Sequence, residues 1–483
     1  MLDTRRHLLK LIHYNYKIPL KSALTKFVLS FLFAYIVTFI PSYEGLSNSA
    51  LSMFFILIFA AGLWITEAIP AFSVSLLIIG LEIILLGFPD FDFASGSKEW
   101  QYFLKPWSST LVFLFLAGFI LAIAASKTKL DLWMAKKVLF LVGNKPENIL
   151  SGLIVITFVL SMFVSNTATT AMMMTILAPI LSHMREDNPF QKAILLGVVV
   201  AANIGGMGTI IGTPPNAIAV GALGDNAPSF IAWMFHALPP AIIAVLILRY
   251  IIIKIYPTNE KTITITSLEQ VNHYDDSTTD FARIPTIPSW KKMLVIGVFC
   301  LTVLLWLTGP IHHVPTTVVS FLPIIAFTIF GIIDVDDIKE IRWDVIILII
   351  GGLSLGLGVS KTGLDDWLAT LIDFGDLSIV LIVFVFGYIV VAVSNFMSNT
   401  AATNIILPLL IAILASFGQE LTTYAVISIA LCASFAMTLP VSTPPNAIMY
   451  SSGKLASNDF LKLGIIIAII GPLFIIAWLS FLY

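Results

Sequence analysis

Of 483 residues, 58% are hydrophobic and only 11% charged, and the mean hydropathy is +0.98. Soluble domains carry about 25% charged residues, so this composition excludes a soluble protein and marks an integral membrane protein. The net charge of −2 says little, because in membranes the placement of Lys and Arg matters more than their sum.

The chain begins with a basic segment, from Arg5 to Lys26, that has no small-residue cleavage site; no signal peptide is expected to be removed. Apolar spans of roughly 17–20 residues are predicted near 23–41, 50–69, 72–89, 107–126, 190–211, 236–255, 292–308, 315–333, 343–360, 421–440 and 461–481. Two further stretches, 148–183 and 377–416, are nearly twice that length. Each is broken at its centre by the same polar tripeptide, Ser165-Asn166-Thr167 and Ser398-Asn399-Thr400. Arms of about 15–17 residues make roughly 22–25 Å of helix, short for a hydrocarbon core of about 30 Å. Two short arms meeting at a polar tip predict a re-entrant hairpin, which the bilayer tolerates only where protein or a cavity buries the tip. The expected fold is therefore an all-α polytopic membrane protein, with eleven transmembrane helices and two re-entrant hairpins.

Charge placement orients it. With the N-terminus cytoplasmic, 23 of the 26 Lys and Arg residues fall on the inner side, and only Lys98, Lys105 and Lys361 fall outside. Eleven crossings then put the C-terminus outside, in the plasma membrane. The longest polar stretch, 257–291, reads as a cytoplasmic linker between two similar halves. Residues 1–49 form the N-terminus and first helix. Residues 50–256 form a first repeat, with hairpin 148–183 and a broken helix over 190–223; residues 292–483 form a second, with hairpin 377–416 and a broken helix over 421–452. "SKTKLDLWMA" (126–135) matches "SKTGLDDWLA" (360–369), and "IGTPPNAI" (211–218) matches "VSTPPNAI" (441–448). An odd number of crossings separates the copies, so the repeat is inverted, as in many secondary transporters with midplane sites.

The breaks carry the chemistry. A tripeptide Ser or Asn can cap the second hairpin arm, and the remaining N–H groups and helix dipole favour an anion. In Thr213-Pro214-Pro215-Asn216 and Thr443-Pro444-Pro445-Asn446, Thr suits the N-cap and Pro the first turn. Two similar, uncharged donor sets arriving from opposite faces fit a molecule with two carboxylates, and uncharged groups release it readily. Unwound carbonyls beside the tripeptides, with Ser161 and Ser394 nearby, can coordinate sodium.

Other candidates are weaker. Gly352-Leu353-Ser354-Leu355-Gly356 matches a hydrolase nucleophile elbow but lies in an apolar span, which favours helix packing. Glu67 and Glu82 are intramembrane carboxylates and suspects by default. His312 and His313 lack a third metal ligand. Cys300 and Cys432 read as packing residues, and nothing marks a nucleic-acid partner.

At the doubled Ser-Asn-Thr and Thr-Pro-Pro motifs, and at "LWITEAIPAFSVSLL" (63–77), the chain resembles the divalent anion/sodium symporter family, which includes the INDY-type dicarboxylate and citrate carriers. The resemblance implies a homodimer in which the first four and the seventh to ninth helices form a scaffold. The hairpins and the remaining helices would slide across the membrane as an elevator. It implies substrates such as succinate, malate, fumarate, 2-oxoglutarate or citrate, sometimes sulfate, and no enzyme activity. The substrate positions carried over are Ser165, Asn166, Thr167, Ser398, Asn399, Thr400, Thr213, Pro214, Thr443 and Pro444. The sodium positions are Ser161, Ser165, Asn166 and Gly212, and Ser394, Asn399 and Ser442; no other cofactor is expected. Members either cotransport sodium or exchange dicarboxylates. Ser442 stands where cation-coupled relatives often have a smaller residue, which tilts the expectation toward exchange. The alternatives are a sulfate transporter and an anion channel.

Overall fold

The computed structural model describes residues 20–88, 91, 93, 98–182, 184–185, 187–258, 260–263, 288–371, 377–414 and 417–483. The basic segment before Leu20 and most of the expected linker lie outside the described residues. Every regular element described is a helix. The first half contains α1 (Leu20–Phe39), α2 (Asn48–Thr66), α3 (Ala71–Leu85), a 3-10 segment (Glu99–Ser108), α4 (Thr110–Lys127), α5 (Leu130–Val142), α6 (Pro146–Ser161), α7 (Asn166–Ser182), α8 (Phe190–Gly205), α9 (Pro214–Leu223) and α10 (Phe230–Ile255). The second contains α11 (Ser289–Leu307), α12 (Gly309–His312), α13 (Thr316–Ile329), α14 (Val335–Glu340), α15 (Trp343–Thr362), α16 (Leu364–Leu371), α17 (Ile379–Ser394), α18 (Asn399–Ile413), α19 (Gln419–Ala433), α20 (Pro444–Tyr450) and α21 (Ser457–Leu482).

Local chemistry sets many of these ends. Ser47 caps α2 by accepting the Ala50 N–H at 3.1 Å. Glu67 ends the same helix in a left-handed conformation (φ 49°) with its side chain exposed, so it terminates an element and faces no site. Both stretches predicted as hairpins are helix–turn–helix: α6 and α7 have 16 and 17 residues, and α17 and α18 have 16 and 15.

Among the described residues, eight helices are long and apolar enough to cross a membrane. Three of the eleven predicted spans come out shorter: 72–89 forms the 15-residue α3, 315–333 the 14-residue α13 and 421–440 the 15-residue α19. Each has a local reason. After α3 the backbone of Gly87 lies so close to Trp100 that a Cβ would sit 2.6 Å from the Trp100 Cα, because the chain folds back to pack the 3-10 segment. Beyond α13 the chain leaves helix at Gly331, in a left-handed conformation (φ +58°) that glycine favours. After α19 the N–H groups of Ser434, Phe435 and Ala436 turn to the carbonyls three residues back, Leu431, Cys432 and Ala433, and the chain unwinds into the second break, described below.

The broken helices occupy the core. Of the window Phe190–Gly208, 94% is buried, against 17% for Ser22–Phe39 of α1, whose exposed Leu, Phe and Val side chains suit a lipid-facing surface. Helices α6–α10 and α17–α21 pack mainly on one another, and α1–α4, α11, α13 and α15 on one another. The two groups touch where α9 and α18 lean on α15, where α18 meets α2, and where α10 and the first hairpin tip meet α11.

Candidate functional site: four helix breaks

The tips are built alike. In each hairpin the chain leaves helix for four residues, 162–165 and 395–398, then restarts on the asparagine of the tripeptide. Ser165 Oγ accepts the Ala168 N–H at 3.2 Å, and Ser398 Oγ accepts the Ala401 N–H at 3.2 Å. Serine therefore does the capping. The N–H groups at Asn166–Thr167 and Asn399–Thr400 belong to first helical turns, which have no intrahelical acceptors. They lie at the positive ends of helices of 17 and 15 residues.

The second breaks are held open by one residue type. α8 ends at Gly205, a short 3-10 turn follows at Gly206–Gly208, and α9 begins on Pro214. Helical backbone cannot satisfy the carbonyls of this unwound stretch. The Asn216 amide takes them instead, reaching Gly206 O at 3.1 Å, Met207 O at 3.3 Å and Thr209 O at 2.7 Å. Asn446 repeats this on Met437 O at 3.0 Å and Leu439 O at 2.8 Å, beyond the end of α19. The fourth residue of each Thr-Pro-Pro-Asn is thus the strap of the break. The sequence held the signal, an asparagine at the same offset in both halves, but sequence reasoning gave it no role. The two Thr residues differ: Thr443 accepts the Asn446 N–H at 3.3 Å, whereas Thr213 makes no side-chain cap.

Tip and break are locked together in both halves by different residues. The Thr209 hydroxyl donates to the Met162 carbonyl, and the Ser442 hydroxyl to the Asn395 carbonyl at 3.0 Å. Met162 and Asn395 occupy the same place in their turns, so one acceptor is reached from two loop positions. Asn395 adds a second tie, accepting the Thr438 N–H on Oδ1 at 2.8 Å. Neither Thr209 nor Asn395 stood out in sequence, because each half uses its own.

The halves then cross. α20 of the second half packs on α7 of the first, and α9 of the first packs on α18 of the second. Asn203 Nδ2 donates to Asn446 Oδ1 at 3.2 Å, joining α8 to the opposite break. All four breaks therefore belong to one assembly. Of the proposed substrate positions, Thr213, Thr400 and Thr443 are buried, Ser165, Asn166, Thr167, Pro214 and Asn399 are half-buried, and Ser398 and Pro444 are exposed. The assembly opens beside the second half, where Phe396 and Val441 are 82% and 80% exposed while Ile211, at the matching place in the first half, is 8% exposed.

The proposed cation positions also group by half. Ser161 Oγ donates to Ala202 O at 2.6 Å and lies 2.7 Å from Asn166 Oδ1. Gly206 and Gly212 let this cluster close: a Cβ on Gly206 would lie 2.4 Å from Asn166 Oδ1, and one on Gly212 2.3 Å from Gly206 O. In the second half, Ser394 Oγ and Asn399 Oδ1 are buried with no hydrogen-bond partner. Buried orphan oxygens are rare in folded proteins and call for a ligand or a strain. Ser442 is occupied with Asn395 and with the Leu439 N–H.

The remaining candidates resolve as structure. Ser354 lies inside continuous α15, fully buried, donating to Glu82 Oε2 and lying 3.3 Å from Phe103 O; it is no exposed nucleophile. Gly351 lets α3 approach this face, since a Cβ there would lie 2.1 Å from the Ser75 Cβ. His312 bonds Leu305 O at 2.8 Å and accepts the Val314 N–H. Among the described residues no three His, Cys, Asp or Glu side chains could hold a metal. Cys432 is buried; Cys300 is exposed.

A multi-pass helical protein whose most buried helices are broken at paired, uncharged turns has the architecture of a membrane transporter. The chain belongs to the divalent anion/sodium symporter family: the profile described as the sodium:sulfate symporter transmembrane region matches residues 21–483. The sodium-dependent dicarboxylate transporter SdcS of Staphylococcus saprophyticus is 30% identical over 471 residues, covering 91% of this chain and 87% of that one. SdcS of Staphylococcus aureus strain RF122 is 31% identical over 451 residues, covering 86% and 82%. Among solved structures, the YdaH transporter of Alcanivorax borkumensis shares the fold at a TM-score of 0.56, covering 85% of this chain and 98% of that one; at 11% identity it speaks to fold alone.

Proposed function

We propose that this protein is a secondary transporter of C4–C6 dicarboxylates and tricarboxylates such as succinate, malate, fumarate, 2-oxoglutarate and citrate, coupled to sodium. The observation that carries the reading is the convergence of two hairpin tips with two strapped breaks, all uncharged. Each second arm begins at its tip with first-turn N–H groups at a helix N-terminus and packs on the other half's break helix, which supports an anion site there. A dianion between the tips would be held by Ser165, Asn166 and Thr167 at one carboxylate and by Ser398, Asn399 and Thr400 at the other. Thr213, Pro214, Thr443 and Pro444 would shape the floor. The substrate assignment is supported by the dicarboxylate transporters of Staphylococcus.

Sodium fits the residues present. The orphaned Ser394 Oγ and Asn399 Oδ1 are neutral oxygen donors of the kind a hard monovalent cation takes. Around Ser161, Asn166 and Gly212 an unwound backbone lies alongside. Ser442, which tilts the sequence toward exchange, turns its hydroxyl onto the Asn395 carbonyl and leaves those oxygens clear. Together with the sodium dependence of the named relatives, this moves our reading to symport. Sodium would neutralise part of the substrate charge, so that substrate and cation enter together. The transport domain would consist of the hairpins with α8–α10 and α19–α21, moving as an elevator against a scaffold of α1–α4, α11, α13 and α15 in a homodimer.

Uptake of labelled succinate into proteoliposomes tests it, with and without a sodium gradient, and with malate, citrate or sulfate as competitors. Sodium-dependent, saturable uptake blocked by dicarboxylates is expected. Uptake that requires internal dicarboxylate and ignores sodium would establish exchange. Competition by sulfate alone would establish an inorganic-anion carrier, and flux that never saturates a channel.

A further inference from the structure

An apolar cavity of about 300 Å³ lies behind the first hairpin tip, between α4, α5, α6 and α11. Its wall includes Phe163 and Val164, the two residues directly ahead of Ser165, and across from them Phe299 and Cys300 of α11. Phe163 meets Phe299 edge-to-face at 5.8 Å. The volume reaches the lower end of the range of about 300–1,000 Å³ that holds small-molecule ligands, and an apolar space of this kind stays dry. It is not sealed, because Trp133, Val159 and Cys300, all in its wall, are exposed at the molecular surface. Hydrocarbon is therefore what would fill it.

Helix α5 supplies the second observation. Trp133, Phe140 and Leu141 are exposed apolar side chains of α5, and the exposed Lys137, with Lys129 just ahead of the helix, lies on that same face, so long lysine stems run beside an apolar surface with their charged heads free to reach water or a headgroup. Lys137 Nζ sits 5.0 Å from the centre of the Trp133 ring, which holds a cation at the cavity mouth. Asp131, the one acid in the wall, accepts the Leu132 N–H at 2.7 Å in the first turn of α5, where a carboxylate suits the helix dipole. An apolar slot with a lysine at its lip is complementary to an acyl chain below an anionic headgroup.

We propose that this cavity binds one acyl chain of an anionic glycerophospholipid, with its phosphate against Lys137, and that the bound lipid regulates transport by bracing the first hairpin tip against α11. The regulatory half rests on the moving-hairpin reading above; the binding half does not.

Cys300 gives a direct readout, since the other cysteine, Cys432, is fully buried. The labelling rate of the full-length protein by the neutral reagent N-ethylmaleimide is measured in phosphatidylcholine vesicles with and without phosphatidylglycerol. Labelling about fivefold slower with phosphatidylglycerol is expected, the factor that one lysine–anionic lipid contact supplies. Lys137→Gln should remove that difference. Val159→Trp, which fills the slot, should label at one rate in both lipids, and glycerophosphate without chains should have no effect. Equal native rates in the two lipids would overturn the proposal. So would a slowdown that survives in Lys137→Gln, which would be a surface-potential effect, or one that glycerophosphate reproduces. Labelling does not depend on substrate. Lipid-insensitive labelling with intact succinate uptake therefore removes the lipid site alone, and absent uptake in every lipid removes the carrier reading alone.

Discussion

Truncating Asn446 to alanine should damage the site more than any other single strap. Its side chain is fully buried and makes four bonds: to the Met437 and Leu439 carbonyls, and from the Asn203 amide and the Thr443 hydroxyl. With each bond worth about 0.5–1.5 kcal/mol net, and buried groups left unpaired costing more, the loss comes to about 3–5 kcal/mol. Asn203→Ala removes only one of the four and should cost about 1 kcal/mol. In Asn446→Ala the loss falls first on the local order of residues 437–443, since the flanking helices have their own packing. Succinate affinity should therefore drop by about two orders of magnitude, with a Tm lowered by several degrees. Isothermal calorimetry on the purified protein with succinate and sodium, alongside thermal unfolding, measures both. Asn216→Ala supplies an internal comparison: its Oδ1 has no partner, so only donor bonds are lost and a smaller effect is expected. If Asn446→Ala kept both its succinate-binding free energy and its unfolding free energy within about 0.5 kcal/mol of the native protein, the strap would not be what holds the break open.

Asn166→Ala and Asn399→Ala should each reduce sodium-dependent succinate uptake at least tenfold while the protein remains folded by circular dichroism; normal uptake by both would refute the assignment of the tips. Gly212→Ala places a Cβ 2.3 Å from the Gly206 carbonyl, a backbone contact that cannot swing aside. Overpacking of this kind costs about 1–3 kcal/mol, and it should appear as weakened sodium dependence, read from the half-saturating sodium concentration. At the periphery, Lys127 lies 2.8 Å from Asp334, which also caps α14. This holds the Asp334 carboxyl down to about 2, the Lys127 hydrogen bond being the largest cause. Because the folded-state value is depressed, this stabilisation is present above the ordinary carboxylate value near 4 and is lost as pH falls toward 2. Asp334→Asn should lower stability at neutral pH, flatten the acid side of the unfolding profile over that window and meet the native protein near pH 2; an unaltered acid limb would remove the ion pair from the account.

Much of the site could be read from the chain. Three small polar residues inside an apolar stretch of double length can hardly remain one helix in lipid, so each tripeptide was legible as a break capped by its Ser or Asn, and the structure decided for Ser165 and Ser398. Pro214 and Pro444 were legible as helix starts, because proline gives up nothing at a first turn. The arm lengths followed from counting. Other parts left no such trace. Thr209 and Ser442 perform one task from positions three residues apart in the motif, so comparing the halves conceals it. The lengths of α3, α13 and α19 misled because hydropathy counts apolar residues and cannot see where the backbone turns.

The sequence by itself determined that this is a membrane protein, where its helices break and which breaks are paired, because burying a bare peptide group in hydrocarbon costs several kcal/mol and composition alone reveals where the chain accepts a break. Only the tertiary structure decided which polar group satisfies each unwound carbonyl, that each hairpin arm packs on the other half's break, and that the assembly opens beside the second tip. Those outcomes depend on hydrogen bonds between residues up to 243 positions apart, and no local pattern of residues specifies a partner at that distance.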